Sequence, residues 1–172
     1  MFRIDLIAVF LFTVTSLFGQ WTSDTIRDPF TDVTRIYTQF QGEGGVKIEI
    51  FRKDDGKYWI QLTVPSDQSF NPDGLFELLV DTGKTLEIDP IKLRRIGTIV
   101  GKPQFLSDGN SVAFVLFNGE SLTDCGFIGQ LLKGERLFIR YQVSDLKKKM
   151  HQINLEGCSD ALLNSFTLRD CH

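Results

Sequence analysis

In VKIEI (46–50) the apolar residues Val46, Ile48 and Ile50 occupy alternate positions with Lys47 and Glu49 between them, and KYWIQLTV (57–64) repeats the pattern with Tyr58, Ile60, Leu62 and Val64. A period of two puts one set of side chains on each face of an extended chain, so both segments predict strands. The connection Arg52-Lys53-Asp54-Asp55-Gly56 contains Asp-Gly, which predicts a hairpin between them. VTRIYTQF (33–40) is β-rich with a less regular alternation, and the polar segment TSDTIRDPFTD before it, with Pro29, reads as a loop or a short edge strand. Further along, LFELLV (75–80), the turn Asp81-Thr82-Gly83-Lys84 and TLEI (85–88) form a second strand pair. KLRRIGTIV (92–100) suggests a strand bulged at Gly97. The turn at 107–110 leads into VAFVLF (112–117), apolar on both faces as in a central strand.

GFIGQLLKGERLFIRYQV (126–143) joins two periods. Leu122, Cys125, Ile128, Leu131 and Leu132 share one helical face, and Ser121-Leu122-Thr123-Asp124 has capping-box spacing, so a helix is expected from Leu122. Gly134 suits a left-handed C-cap. From Arg136 the period becomes two, with Leu137, Ile139, Tyr141 and Val143 on one side and Arg136, Phe138, Arg140 and Gln142 on the other. A last strand near Met150–Leu155 leads to a short helix capped by Ser159. Many short strands and few helices predict a mainly β protein, an antiparallel two-layer β-sandwich with one or two short helices. A partly open barrel capped by a helix is the alternative.

The first residues change the picture of compartment. Arg3, an apolar run from Leu6 to Val14 and small or polar residues before Trp21 follow the order of a secretory signal peptide. The run falls short of the ~20 apolar residues a spanning helix needs. The expected organisation is a signal peptide at 1–19, cleaved after Gly19 with Ser16 as the alternative site, and a single domain at 20–172. No membrane anchor remains after cleavage. In an oxidising compartment Cys125, Cys158 and Cys171 imply one disulfide and one free thiol. Three pairings are open; the expected one is Cys158–Cys171, a short clip on the C-terminal tail, with Cys125 reduced on the apolar side of its helix.

A net charge of −3 offers no general attraction for nucleic acid, and the basic groups Lys92, Arg94, Arg95 and Lys147–Lys149 read as solvated turns or strand edges. In GQLLKGE the lysine precedes the glycine that ends the helix, so the phosphate-loop order is absent. His151 and His172 have no ligand spacing toward zinc, and neither Asp54-Asp55 nor Asp28 with Asp32 makes a calcium loop. There is no Gly-x-Ser-x-Gly elbow. These readings imply no cofactor, no metal and no catalytic residue. What remains is a set of aromatic and basic residues on the outward phase of the strands: Phe51, Trp59, Phe138, Arg136 and Arg140, interleaved with Lys47 and Lys57. On one sheet face they would make a partner-binding surface. If a helix or second sheet covers that face, the same aromatic residues belong to the core.

The segments VKIEI, KYWIQL, FELLVD, FIGQLLKGERLFIRY and INLEGCSDAL, taken together, resemble small exported bacterial proteins: the type VI secretion-associated TagO/VasI-like family and, more distantly, the invasion-associated locus B (IalB) family. Members often carry a Cys in the second strand, where this chain has Phe51. The resemblance implies a periplasmic or secreted β-sandwich without established catalysis. The functional expectation is an exported, non-catalytic accessory domain that binds a protein or cell-wall component of the envelope. The alternatives are an envelope hydrolase acting on glycans or peptides, and a purely structural secreted factor.

Overall fold

The computed structural model describes residues 20–27, 34–54, 56–95, 103–105, 109–117, 125–144, 146–166 and 168. The expected signal segment 1–19 and Cys171 lie outside them. Among the described residues, ten strands form two antiparallel sheets, a sandwich without barrel closure. The larger sheet runs β1 (Gln20–Arg27), β2 (Thr34–Gln41), β3 (Lys47–Arg52), β4 (Tyr58–Thr63), β8 (Ser111–Phe117), β7 (Gln104–Phe105). The smaller runs β10 (Lys147–Asn154), β9 (Arg136–Ser144), β5 (Phe76–Val80), β6 (Leu86–Ile88). Three short α-helices, α1 (Pro90–Arg95), α2 (Gly126–Lys133) and α3 (Cys158–Ser165), and a single 3-10 turn at Glu43–Gly45 complete the described elements.

The alternation carries the core. Ile48, Ile50, Ile60 and Leu62 on the larger sheet and Phe76, Leu78, Leu137 and Ile139 on the smaller are all at most 1 % exposed. Phe76 reaches across the sandwich to Phe114, centroid to centroid 6.2 Å. The expected β3–β4 hairpin is present in register, Ile50 opposite Ile60, and Gly56 takes φ 80° in its turn. Six strands are wider than four, and α3 packs on the β1–β2 part of the larger sheet. There the buried Thr38 hydroxyl lies 3.1 Å from Ala161 O and 2.8 Å from Ser165 Oγ, and Ser165 Oγ lies 2.8 Å from Ser23 Oγ. Trp21 Nε1 of β1 donates to Asn154 O at the end of β10, 2.9 Å away, joining the edges of the two sheets.

Several expectations are corrected. Residues 92–95 of the expected strand are helical: Pro90 opens α1 and the Asp89 carboxylate accepts the Ile91 and Lys92 N–H groups at 3.0 Å, an N-cap arrangement. Residues 96–100, with the Gly97 bulge, lie outside the described residues. Of the loop and edge-strand alternatives for the segment before β2, the edge strand holds over Gln20–Arg27, and residues 28–33 lie outside the described residues. Helix α2 starts at Gly126 with Cys125 as its N-cap residue, and the proposed capping box at 121–124 is not among the described residues. Helix α3 starts after Gly157, at φ 81°, which leaves Ser159 inside it.

Gly134 ends α2 in extended conformation, φ −85°, so its glycine has another cause. A Cβ there would be driven into Val80 Cγ1 and would come 3.1 Å from Asp81 Oδ2. The close approach lets the Asp81 carboxylate accept the N–H groups of Glu135 and Arg136, at 2.9 and 3.0 Å. It thereby fixes where the helix hands over to β9.

The cysteine expectation is reversed. Cys158 is a free, fully buried thiol and Cys125 is disulfide-bonded. Cys158, Ala161, Leu162 and Ser165 form the buried face of α3, so the Cys158 sulfur points into the core. Burial pushes its thiol up to about 12.

Leu131 is 1 % exposed, so Leu131→Ala is expected to cost about 2–5 kcal/mol in urea denaturation. Gly134→Ala should cost about 1–3 kcal/mol by overpacking against Val80; an unchanged midpoint would disprove the close-approach account. Non-reducing peptide mapping is expected to recover Cys125 in a crosslink and Cys158 in none. Cys158 should resist thiol reagents until the chain unfolds, and its alkylation in the native protein would contradict this assignment.

Candidate functional site

The outward-facing residues singled out from the sequence do not form one surface. Phe51 and Trp59 are directly opposed on β3 and β4 of the larger sheet. Arg136, Phe138 and Arg140 lie on β9 of the smaller sheet, in the phase opposite to the buried Leu137, Ile139 and Tyr141, so they point away from the sandwich on its other side. Trp59 is only 7 % exposed, with the Lys53 ammonium 3.7 Å from its ring centroid. It behaves as a packed residue rather than a free anchor. Its indole Nε1 is buried without a hydrogen-bond partner. Arg140 is held by both oxygens of Glu77, which keeps that carboxyl below its usual range, and Arg136 sits 3.8 Å from Asp81 Oδ1.

What the fold assembles instead is an open groove of about 780 Å³ at the end of β2, β3 and β4, beside the C-terminus of α3. The inner-face positions Ile36, Arg52 and Tyr58 run out beyond the helix here, and Ser165 and Phe166 supply the opposite wall. Tyr58 stands edge-on to Phe166, centroids 5.3 Å apart at 89°. The Arg52 guanidinium lies 5.6 Å from the Tyr58 ring, and its Nε donates to Gly56 O at 3.3 Å, which orients it with no carboxylate involved. Arg35 is exposed and has no ion pair among the described residues. With Lys53, the described lining holds three cations against the single carboxylate of Asp54, alongside aromatic and aliphatic surface from Phe51, Tyr58, Phe166 and Ile36. Of the residues expected from the sequence, only Phe51 belongs to it. The available signal was Arg52-Lys53 at a hairpin end, read as an ordinary turn; Arg35 arrives from a different hairpin.

A second polar cluster lies under the β9–β10 hairpin. The Tyr141 hydroxyl is 3.0 Å from Gln68 Oε1 and 3.1 Å from His151 Nε2, and the Tyr141 and His151 rings stack at 5.8 Å. Burial, helped by Asp67, pushes Tyr141 up to about 12; burial, helped by Lys149, holds His151 below its ordinary value. A phenol kept neutral and an imidazole kept neutral make a hydrogen-bonded pair that is stable across physiological pH. Among the described residues, no group of three or more His, Cys, Asp or Glu side chains converges as a metal site, and no helix is long and apolar enough to cross a membrane.

No protein-family model matches the chain, and no curated protein matches it. Among solved structures, invasion associated protein B from Bartonella henselae is similar in fold, with a TM-score of 0.55 and 19 % identity over 88 % of this chain and 95 % of that one. The two proteins share an architecture. At this identity the likeness concerns the fold alone.

The depressed His151 gives a signed pH prediction. The folded state binds that proton less readily than the unfolded chain, so its contribution is present above the unfolded value near 6.5 and is lost as pH falls through the lower folded value. Thermal midpoints measured between about pH 7 and 5 should fall more steeply for the parent than for His151→Gln. Parallel slopes would show that His151 titrates alike in both states.

Proposed function

We propose that this protein is an exported, non-catalytic interaction domain of the bacterial envelope, and that the groove beside α3 holds its partner. The groove is the observation that carries the reading. Its volume of about 780 Å³ is in the range of ligand-binding clefts, and its cations stand beside aromatic walls. Guanidinium groups next to aromatic rings favour a partner that presents carboxylates beside apolar side chains. The order of residues 1–19 supports export. The fold shared with invasion associated protein B and the resemblance of FIGQLLKGERLFIRY and INLEGCSDAL to TagO/VasI-like and IalB-like proteins support an accessory role.

The test is quantitative cross-linking of the chain in its host envelope, with its processed N-terminus established by mass spectrometry. Arg35→Glu with Arg52→Glu is expected to reduce the specific cross-linked partner roughly tenfold or more while leaving the melting temperature nearly unchanged. Phe138→Ala with Arg140→Ala, on the opposite side of the sandwich, should leave that partner in place. Equal capture by the groove variant, or turnover of peptidoglycan fragments by the purified chain, would sink the proposal.

A further inference from the structure

We propose that the β9–β10 hairpin tip docks this protein onto an anionic lipid surface. Leu146, in the turn, is 100 % exposed, and Met150, four residues on in β10, is 64 % exposed. Between them lie Lys147, Lys148 and Lys149, none of which forms an ion pair among the described residues. Lys148 and Met150 lie opposite Gln142 and Arg140 on the outer side of the smaller sheet, whereas Lys149 faces Tyr141 on the inner side. Glu77, a described carboxylate within the field of Lys148, is already bound by Arg140 through both oxygens. Counting Asp145, the sequence from Ser144 to Met150 still carries a charge of +2 (three lysines less one aspartate).

Lysines on an edge strand have a common purpose, since charge there discourages pairing with another sheet. That purpose accounts for the lysines and leaves Leu146 unaccounted for. A fully exposed aliphatic side chain on a protruding turn has no neighbours of its own. A protein partner would have to offer a pocket shaped to it. A bilayer interface accepts an apolar point without complementary shape, while lysine stems lie along the apolar boundary and their ammonium groups reach lipid phosphates. Each such lysine adds attraction to an anionic surface, and the attraction fades within a Debye length. The hairpin lies on the smaller sheet and the groove on the larger, so each reading can fail without the other.

The experiment is co-sedimentation of the chain, as its host processes it, with vesicles of phosphatidylcholine alone or with about a third phosphatidylglycerol. Binding is expected on the anionic vesicles only, and it should be lost in about 1 M salt. Lys147→Glu, Lys148→Glu and Lys149→Glu together should weaken it by at least about tenfold, and Leu146→Asp by about tenfold. The exposure of Leu146 means that Leu146→Asp should melt with the parent, so lost binding in that variant reports the contact rather than unfolding. Equal binding to both vesicle types overturns the proposal, as does indifference to either set of substitutions. Retention of the chain on a soluble acidic peptide with no vesicle binding would assign the hairpin to a protein partner and overturn it too.

Discussion

A buried hydroxyl governs how this sandwich is closed. Thr38 occupies an inner-face position in line with Ile50, Ile60 and Phe114, where a polar atom would carry a desolvation cost if left alone. Its partners come from α3: the Ala161 carbonyl and the Ser165 hydroxyl, the latter relayed to Ser23 on β1. Each hydroxyl can donate once and accept twice, so three hydroxyls and one carbonyl can satisfy one another. Helix α3 is therefore the partner the larger sheet needs at its wide end. A slide of the helix by one residue would break the contact and expose the mismatch between six strands and four.

The groove inherits its shape from that attachment. With Ser165 fixed by Thr38 and Ser23, the next residue, Phe166, is delivered edge-on to Tyr58, and Tyr58 in turn gives the Arg52 guanidinium a ring to lie against. One wall of the groove is helix, the other is the run-out of β2, β3 and β4. Arg52 is held by the Tyr58 ring and a backbone carbonyl in preference to a carboxylate, and Lys53 lies over the Trp59 ring. The arginines of the smaller sheet are the reverse case, because Glu77 and Asp81 already occupy them.

The facing of individual strands was legible because alternation is a local property: Ile48 and Ile50, or Leu137 and Ile139, declare the buried side without reference to any other strand. The sheet to which a strand belongs is not local. Nothing in the phase of Phe51 or Phe138 says that β4 will pair with β8 while β5 pairs with β9, and that pairing sends the two aromatic residues to opposite sides of the molecule. The groove was hidden for the same reason, its members Arg35, Arg52 and Phe166 being brought together by tertiary contacts alone. Residues 92–95 were misread for a local reason, in that the helix start at Asp89-Pro90 was outweighed by the β-branched residues beyond it. Gly134 was identified correctly as a helix end and for the wrong cause, since only the fold shows that Val80 leaves no room for a side chain.

The unpaired Cys158 has a consequence for the order of folding events. Thiol exchange proceeds through the thiolate, and burial, which pushes this thiol up to about 12, keeps it protonated at neutral pH. Once α3 is seated, Cys158 is kinetically silent even beside an oxidant. Before the helix docks, the same sulfur has an ordinary thiol's reactivity and competes for the partner of Cys125. Docking of α3 thus protects native pairing by burying a sulfur that could otherwise compete for it.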